Sequence, residues 1–163
     1  DNYIDPAFAP DIGKKIIDIL YGNEIEIPKK SIANHIALII GTNGIDSAIA
    51  EYYTIIKNEQ GNYNLEEQEL NKLGIELIFR FNLLDEAIHI FRLNMVQFPK
   101  SYNTYDSYAY ALMKKGDYRN SIKSYKKGLD VLNKYPESNM FGSVKKDAEK
   151  ALEYIKEMEE KLK

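Results

Sequence analysis

Residues 103–132, NTYDSYAYALMKKGDYRNSIKSYKKGLDVL, contain two helical patterns divided by one sharp punctuation mark. In the first half, Tyr105, Tyr108, Ala109 and Leu112 recur at three- and four-residue spacing, which aligns them on one face of a helix. Lys115-Gly116-Asp117-Tyr118 then supplies a helix stop, a cap and an anchoring aromatic. Glycine tolerates the left-handed conformation that ends one helix, and the aspartate carboxylate accepts amide hydrogens at the start of the next. In the second half, Ser121, Tyr125 and Gly128 place a small residue four before an aromatic and a compact residue three after it. Small side chains there let the two helices of a hairpin approach closely, and the aromatic fills the gap between hairpins.

The pattern is repeated. Ala87, Phe91 and Asn94 precede Ser121, Tyr125 and Gly128 by 34 residues, and Leu70, Leu73, Gly74 and Leu77 answer Tyr105, Tyr108, Ala109 and Leu112. Gly74 to Ala87 is one residue longer than Ala109 to Ser121, which places an insertion in the turn at residues 79–83. Ile45, Ala48 and Tyr52 match Tyr118, Ser121 and Tyr125, so residues 32–56 form a degenerate copy whose first helix lacks the pattern. The spacing predicts helices over 11–20, stopped at Tyr21-Gly22, over 30–40, ended by Gly41-Thr42-Asn43-Gly44, and over 45–57. Residues 23–27 read as short and extended. A capping box of Asn64 and Glu67 opens a helix over 65–79. Further helices cover 84–98, ended by Pro99, then 104–115, and one capped by Asp117 that runs to about Asn133. The last helix, 143–162, mixes lysines and acids at three- and four-residue spacing, which reads as a solvated face with local ion pairs.

A 34-residue helix–turn–helix period with this content resembles the tetratricopeptide repeat. The resemblance implies an all-α, right-handed superhelix of two to three helical hairpins with a C-terminal capping helix. That repeat domain would occupy residues 29–163, after an N-terminal helical lead in residues 1–28. Ser121 departs from the pattern, since alanine is usual there. Arrays of this kind bind proteins or peptides along the inner face formed by the first helix of each hairpin. Carried onto this sequence, that face presents Asn71, Ile75, Ile78, Asn103, Asp106, Tyr110 and Met113. An amide, a carboxylate and a tyrosine between apolar residues suit an extended peptide held by hydrogen bonds. Asparagine and aspartate in such helices serve equally well to brace the adjacent hairpin, and both readings stand.

A narrower likeness rests on Glu69-Leu70-Asn71-Lys72-Leu73-Gly74, Glu86-Ala87-Ile88, Phe91-Arg92-Leu93-Asn94, Phe98-Pro99 and Tyr105-Asp106-Ser107. This run resembles a C-terminal tail domain of bacterial serine hydrolases, of the β-lactamase/penicillin-binding type or sometimes esterases. In such proteins a segment similar to residues 12–21, followed by Glu26-Ile27-Pro28-Lys29, leads from the catalytic domain into the repeats. The chain begins at Asp1 with neither methionine nor signal-peptide pattern, which reads as a piece of something longer. The alternative function is therefore an accessory domain of a hydrolase whose catalytic residues lie upstream, placed in the bacterial cell envelope if the likeness holds.

Composition narrows the chemistry. The 163 residues carry a net charge of −3, which gives no reason to expect nucleic acid as a partner. There is no cysteine and there are two histidines, so neither a thiolate zinc site nor a histidine-rich metal centre is expected, and no cofactor is assigned. The longest purely apolar run, residues 36–40, is far short of the ~20 residues that span a bilayer. Lysine outnumbers arginine 19 to 3, a codon bias of AT-rich, bacterial genomes. Ser124-Tyr125-Lys126-Lys127 and Ser143-Val144-Lys145-Lys146 match Ser-x-x-Lys, and Ser101-Tyr102-Asn103 matches a second element of penicillin-recognising enzymes. No Lys-Thr-Gly accompanies them, and Ser124 falls within a repeat helix. Glu86 and His89 have the spacing of one half of a di-iron site, without the second half. The expected partner is thus a protein or peptide, including an upstream catalytic domain of the same polypeptide, with self-association open. No catalytic residue is assigned.

Overall fold

Local chemistry sets where each helix starts and stops. The computed structural model describes residues 20–22, 28–136 and 144–163. The expected helix over 11–20, apart from Leu20, and the extended segment over 23–27 lie outside the described residues. Helix α1 (Ile32–Asn43) opens on Ser31, whose hydroxyl accepts the Asn34 amide hydrogen at 3.2 Å. It passes through Gly41, where a stop was expected, and ends at Gly44. Only Gly44, at φ 83°, leaves the helical region, whereas Gly41 merely weakens the turn it occupies. Gly44 also begins α2 (Ile45–Asn58), so the two helices turn about one residue.

Helix α3 (Glu67–Phe79) starts later than predicted, and the Asn64–Glu67 capping box does not form. The Asn64 side-chain Oδ1 accepts from the Glu66 amide at 3.2 Å in a local turn, while the Glu67 carboxylate is taken by Asn103. Helix α4 (Leu84–Gln97) follows after a four-residue turn in which Asn82 adopts φ 55° and the Leu83 amide reaches the Leu77 carbonyl. That turn absorbs the extra residue of this copy. Helix α5 (Tyr102–Lys115) ends at Gly116, φ 84°, and Asp117 caps α6 (Tyr118–Lys134) by accepting the Asn120 amide hydrogen at 3.3 Å. Helix α7 (Val144–Lys161) completes an all-α fold.

One feature without a sequence signal is a parallel pair of two-residue strands. In it β1 (Lys30–Ser31) lies beside β2 (Tyr63–Asn64), with Lys30 opposite Tyr63 and Ser31 opposite Asn64. Two residues are too few to show alternation. Glu69 of α3 reinforces this junction, its Oε2 accepting from the Ser31 hydroxyl at 2.5 Å and the Ala33 amide at 3.2 Å. A carboxylate there complements the positive end of α1.

Successive helices pair as α1/α2, α3/α4 and α5/α6, and α7 packs against both α5 and α6. The first helices of the pairs also touch in series, α1 with α3 and α3 with α5, and α2 touches α4. Close approach within a pair depends on small residues. A Cβ on Gly74 would stand 2.5 Å from ring atoms of Phe91, and one on Gly128 would stand 3.0 Å from Tyr105 Cβ. Ala87, Ala109 and Ser121 are fully buried at the matching positions. Ser121 fits at its close contact because its hydroxyl donates to the Ala109 carbonyl at 2.7 Å, so this buried hydroxyl is satisfied.

Two apolar clusters result. One joins Ile32, Ile36, Tyr52, Leu70, Leu73, Ile90 and Phe91 from α1 to α4. The other joins Ala109 and Tyr125 to Ala151, Ile155 and Met158 of α7. The last helix is therefore solvated on one side only, and an ion pair joins it to α6, Lys126 to Glu159 at 2.8 Å. No helix among the described residues is long and apolar enough to cross a membrane.

The Gly74–Phe91 contact yields a stability prediction. Overpacking costs about 1–3 kcal/mol, against the roughly 1 kcal/mol that alanine gains over glycine in a helix. Gly74→Ala is expected to lower unfolding free energy in urea by about 1 kcal/mol or more, because the ring is enclosed. Gly74→Ala with Phe91→Leu should lose less than the two single changes summed, since the smaller side chain makes room. Strict additivity would show that these two residues do not meet.

Candidate functional site

The first helices of the second and third pairs are tied by side chains 36 residues apart in sequence. The Ser107 hydroxyl donates to the Asn71 side-chain carbonyl at 2.8 Å, and the Asn103 amide donates to Glu67 Oε1 at 2.7 Å. These bonds hold α3 and α5 in register, and α7 also packs against α5. Between the three helices opens a cleft of about 280 Å³. Ile75, Ile78 and Phe79 line it from α3, Phe91 from α4, Asp106, Ser107 and Tyr110 from α5, and Lys150 and Tyr154 from α7.

Of the seven residues expected on the inner face, Ile75, Ile78, Asp106 and Tyr110 line this cleft. Asn71 and Asn103 sit beside it with their side chains engaged in the bonds that brace α3 to α5. Met113 packs into the apolar cluster beneath α7. Lys150 and Tyr154 also line the cleft, although the charge pattern of the last helix predicts a solvated face. A signal existed in the stripe of Ala151, Tyr154, Ile155 and Met158, which has the spacing of a buried helix face.

The cleft is apolar in its walls and charged at defined points. Ile75 is 44% exposed and Phe79 65%, so both present apolar surface to solvent. The Lys114 ammonium lies 5.7 Å from the Phe79 ring centre and 5.4 Å from that of Tyr110, bridging two of the lining aromatics. Lys150 lies 5.4 Å from the Tyr154 ring centre. Its pKa is raised, first by a hydrogen bond with the Tyr154 side chain and then by that group's charge. Asp106 accepts a hydrogen bond from the Tyr102 hydroxyl at 2.9 Å. Burial pushes the Asp106 carboxyl up to about 6; the Tyr102 bond and Lys150 oppose this shift and Asp147 adds to it. Burial, followed by the Asp106 charge, also raises the Tyr102 phenol.

Tyr102 is the fully buried tyrosine of its helix, whereas Tyr105 and Tyr108, on the face shared with Ala109 and Leu112, are half-buried. Tyr110, expected on the inner face, is half-buried at the cleft. The remaining candidates have structural partners or stand at the surface. His35 is half-buried with Nε2 3.2 Å from Glu51 Oε1, an acid brought by the facing helix. His89 is exposed. The Ser124 hydroxyl donates to the Tyr105 carbonyl at 3.1 Å. Ser143 lies outside the described residues. No cluster of three or more histidine or acidic side chains placed to hold a metal occurs among the described residues. The chain matches no family model, and a search of curated proteins finds no match.

The raised carboxyl has a consequence for stability. The folded chain binds this proton more tightly than the unfolded chain, whose carboxyl titrates near 4. The contribution of Asp106 to stability is thus fully present below about pH 4 and is lost as pH rises through about 6. Asp106→Asn keeps an acceptor for Tyr102 and removes the charge. The variant should gain stability over the parent at pH 7, with the gap closing toward pH 4, as read from urea midpoints at several pH values. A gap that ignores pH would mean that another group titrates.

Proposed function

We propose that the chain is a non-catalytic interaction module built from tetratricopeptide-like repeats, its hairpins following a right-handed superhelical path, and that it binds a protein segment in the cleft between α3, α5 and α7. The observation that carries this reading is the convergence of apolar and polar groups from separate helices on one open surface. Ile75 and Phe79 offer exposed apolar contact, Tyr110 and Tyr154 offer rings with a polar end, and Asp106 and Lys150 offer opposite charges. Aromatic residues contribute large contact area at small entropic cost, and fixed charges set the register of what they contact. A cleft bounded by helices suits an extended or helical peptide whose apolar side chains alternate with polar ones. The bonds of Asn71 and Asn103 keep α3 and α5 from parting, so the surface is preorganised and binding costs little rearrangement.

The test is selection from a displayed library of random peptides, followed by affinity measurement on variants. Ile75→Glu with Tyr110→Ala is expected to weaken the selected peptides at least tenfold, or about 1.4 kcal/mol. Val96→Glu, at an exposed position on α4 away from the cleft, should leave them unchanged. Equal binding to all three proteins would remove the cleft as the binding surface.

A further inference from the structure

A second concavity, which shares no residue with the cleft, lies where α4, α5 and α6 meet and measures about 220 Å³. Its apolar part is Met95, Tyr105 and Tyr108, and its polar part is Asn120, Lys123, Ser124 and Lys127. Two of the polar groups are already held in place. The Ser124 hydroxyl donates to the Tyr105 carbonyl at 3.1 Å, and the Asn120 amide donates to Asp117 at 2.7 Å. The lysines differ. Lys123 and Lys127 stand one helical turn apart on the same face, where like charges repel. Among the described residues neither has an ion-pair partner, whereas their neighbour Lys126 pairs with Glu159. No acidic side chain lines the pocket.

Two unneutralised cations beside two half-buried rings and a thioether therefore make up one small pocket. We propose that it binds a small planar organic anion of the aryl carboxylate class. The ring rests against Tyr105, Tyr108 and Met95, where edge or stacked contact and the polarisable sulfur favour an aromatic guest. The carboxylate meets Lys123 and Lys127 and relieves their mutual repulsion. The volume is below the roughly 300–1,000 Å³ of drug-sized sites, which limits the guest to about one ring with a short acidic arm. Because both lysines are exposed, the charge component is weak and sensitive to salt.

The probes are 4-hydroxyphenylacetate and its uncharged counterpart 4-hydroxyphenylacetamide, titrated into the full chain by NMR with the tyrosine ring signals as readout. The acid is expected to bind in about the millimolar range and the amide at least fivefold more weakly, with added salt weakening the acid alone. Lys123→Gln with Lys127→Gln should reduce the acid to the level of the amide while the urea midpoint stays level or rises. Lys126→Gln should leave acid binding unchanged. The proposal fails if acid and amide bind equally, if neither binds, or if Lys126→Gln costs as much as the double change. Peptide binding at the cleft uses none of these residues, so its success or failure is read separately.

Discussion

The ring of Phe91 lies against the backbone of Gly74 at a separation that leaves no space for a side chain, and the distance between α3 and α4 follows from that contact. The same economy recurs between α5 and α6, where Gly128 meets Tyr105 and Tyr102. Helices that approach this closely fill the space between them with few atoms, and the aromatic residues reach past the pair to the next one. Each pair alone would leave an apolar flank in water, so pairs stack, and α7 covers the last flank with Ala151, Ile155 and Met158.

Stacking puts polar side chains between neighbouring first helices, and their bonds produce both stability and a surface. Ser107 to Asn71 and Asn103 to Glu67 fix α3 against α5 along one edge. One turn further along α5, Asp106 lines the cleft with Lys150 of α7 and accepts a hydrogen bond from the Tyr102 hydroxyl. The carboxyl is raised to about 6 there, because desolvation disfavours its charge more than the lysine and the phenol favour it. The cleft therefore combines an apolar wall with a charge that responds to pH, a combination that none of the contributing helices has by itself.

Much of the fold was legible in particular residues. Gly116 and Asp117 announced a left-handed stop and a cap, and both act as such. The 34-residue recurrence placed Ala87 and Ser121 at buried close contacts, and the length difference placed the extra residue in the turn where Asn82 turns left-handed. Ile75, Ile78, Asp106 and Tyr110, which the tetratricopeptide likeness assigns to one inner face, line a common cleft. Other features were not legible. Glu67 looked like half of a capping box and instead holds Asn103, because a partner 36 residues away competes successfully with a local amide. Lys150 and Tyr154 looked like part of a charged solvated helix, and only the docking of α7 turns them toward α5. Met113 shares the periodicity of the groove residues but falls under α7.

The amino-acid sequence by itself determined where helices form, where they turn and which small residues permit close pairing, since these depend on interactions spanning a few residues. It also limited the chemistry, through the lack of cysteine and the scarcity of histidine. The tertiary structure alone decided which polar residues brace the stack and which face the cleft, that Glu69 caps α1 from another helix, and that burial raises the Asp106 carboxyl to about 6. Those outcomes depend on distances between groups far apart in the chain, and helical periodicity states which face a residue occupies without stating what that face will meet.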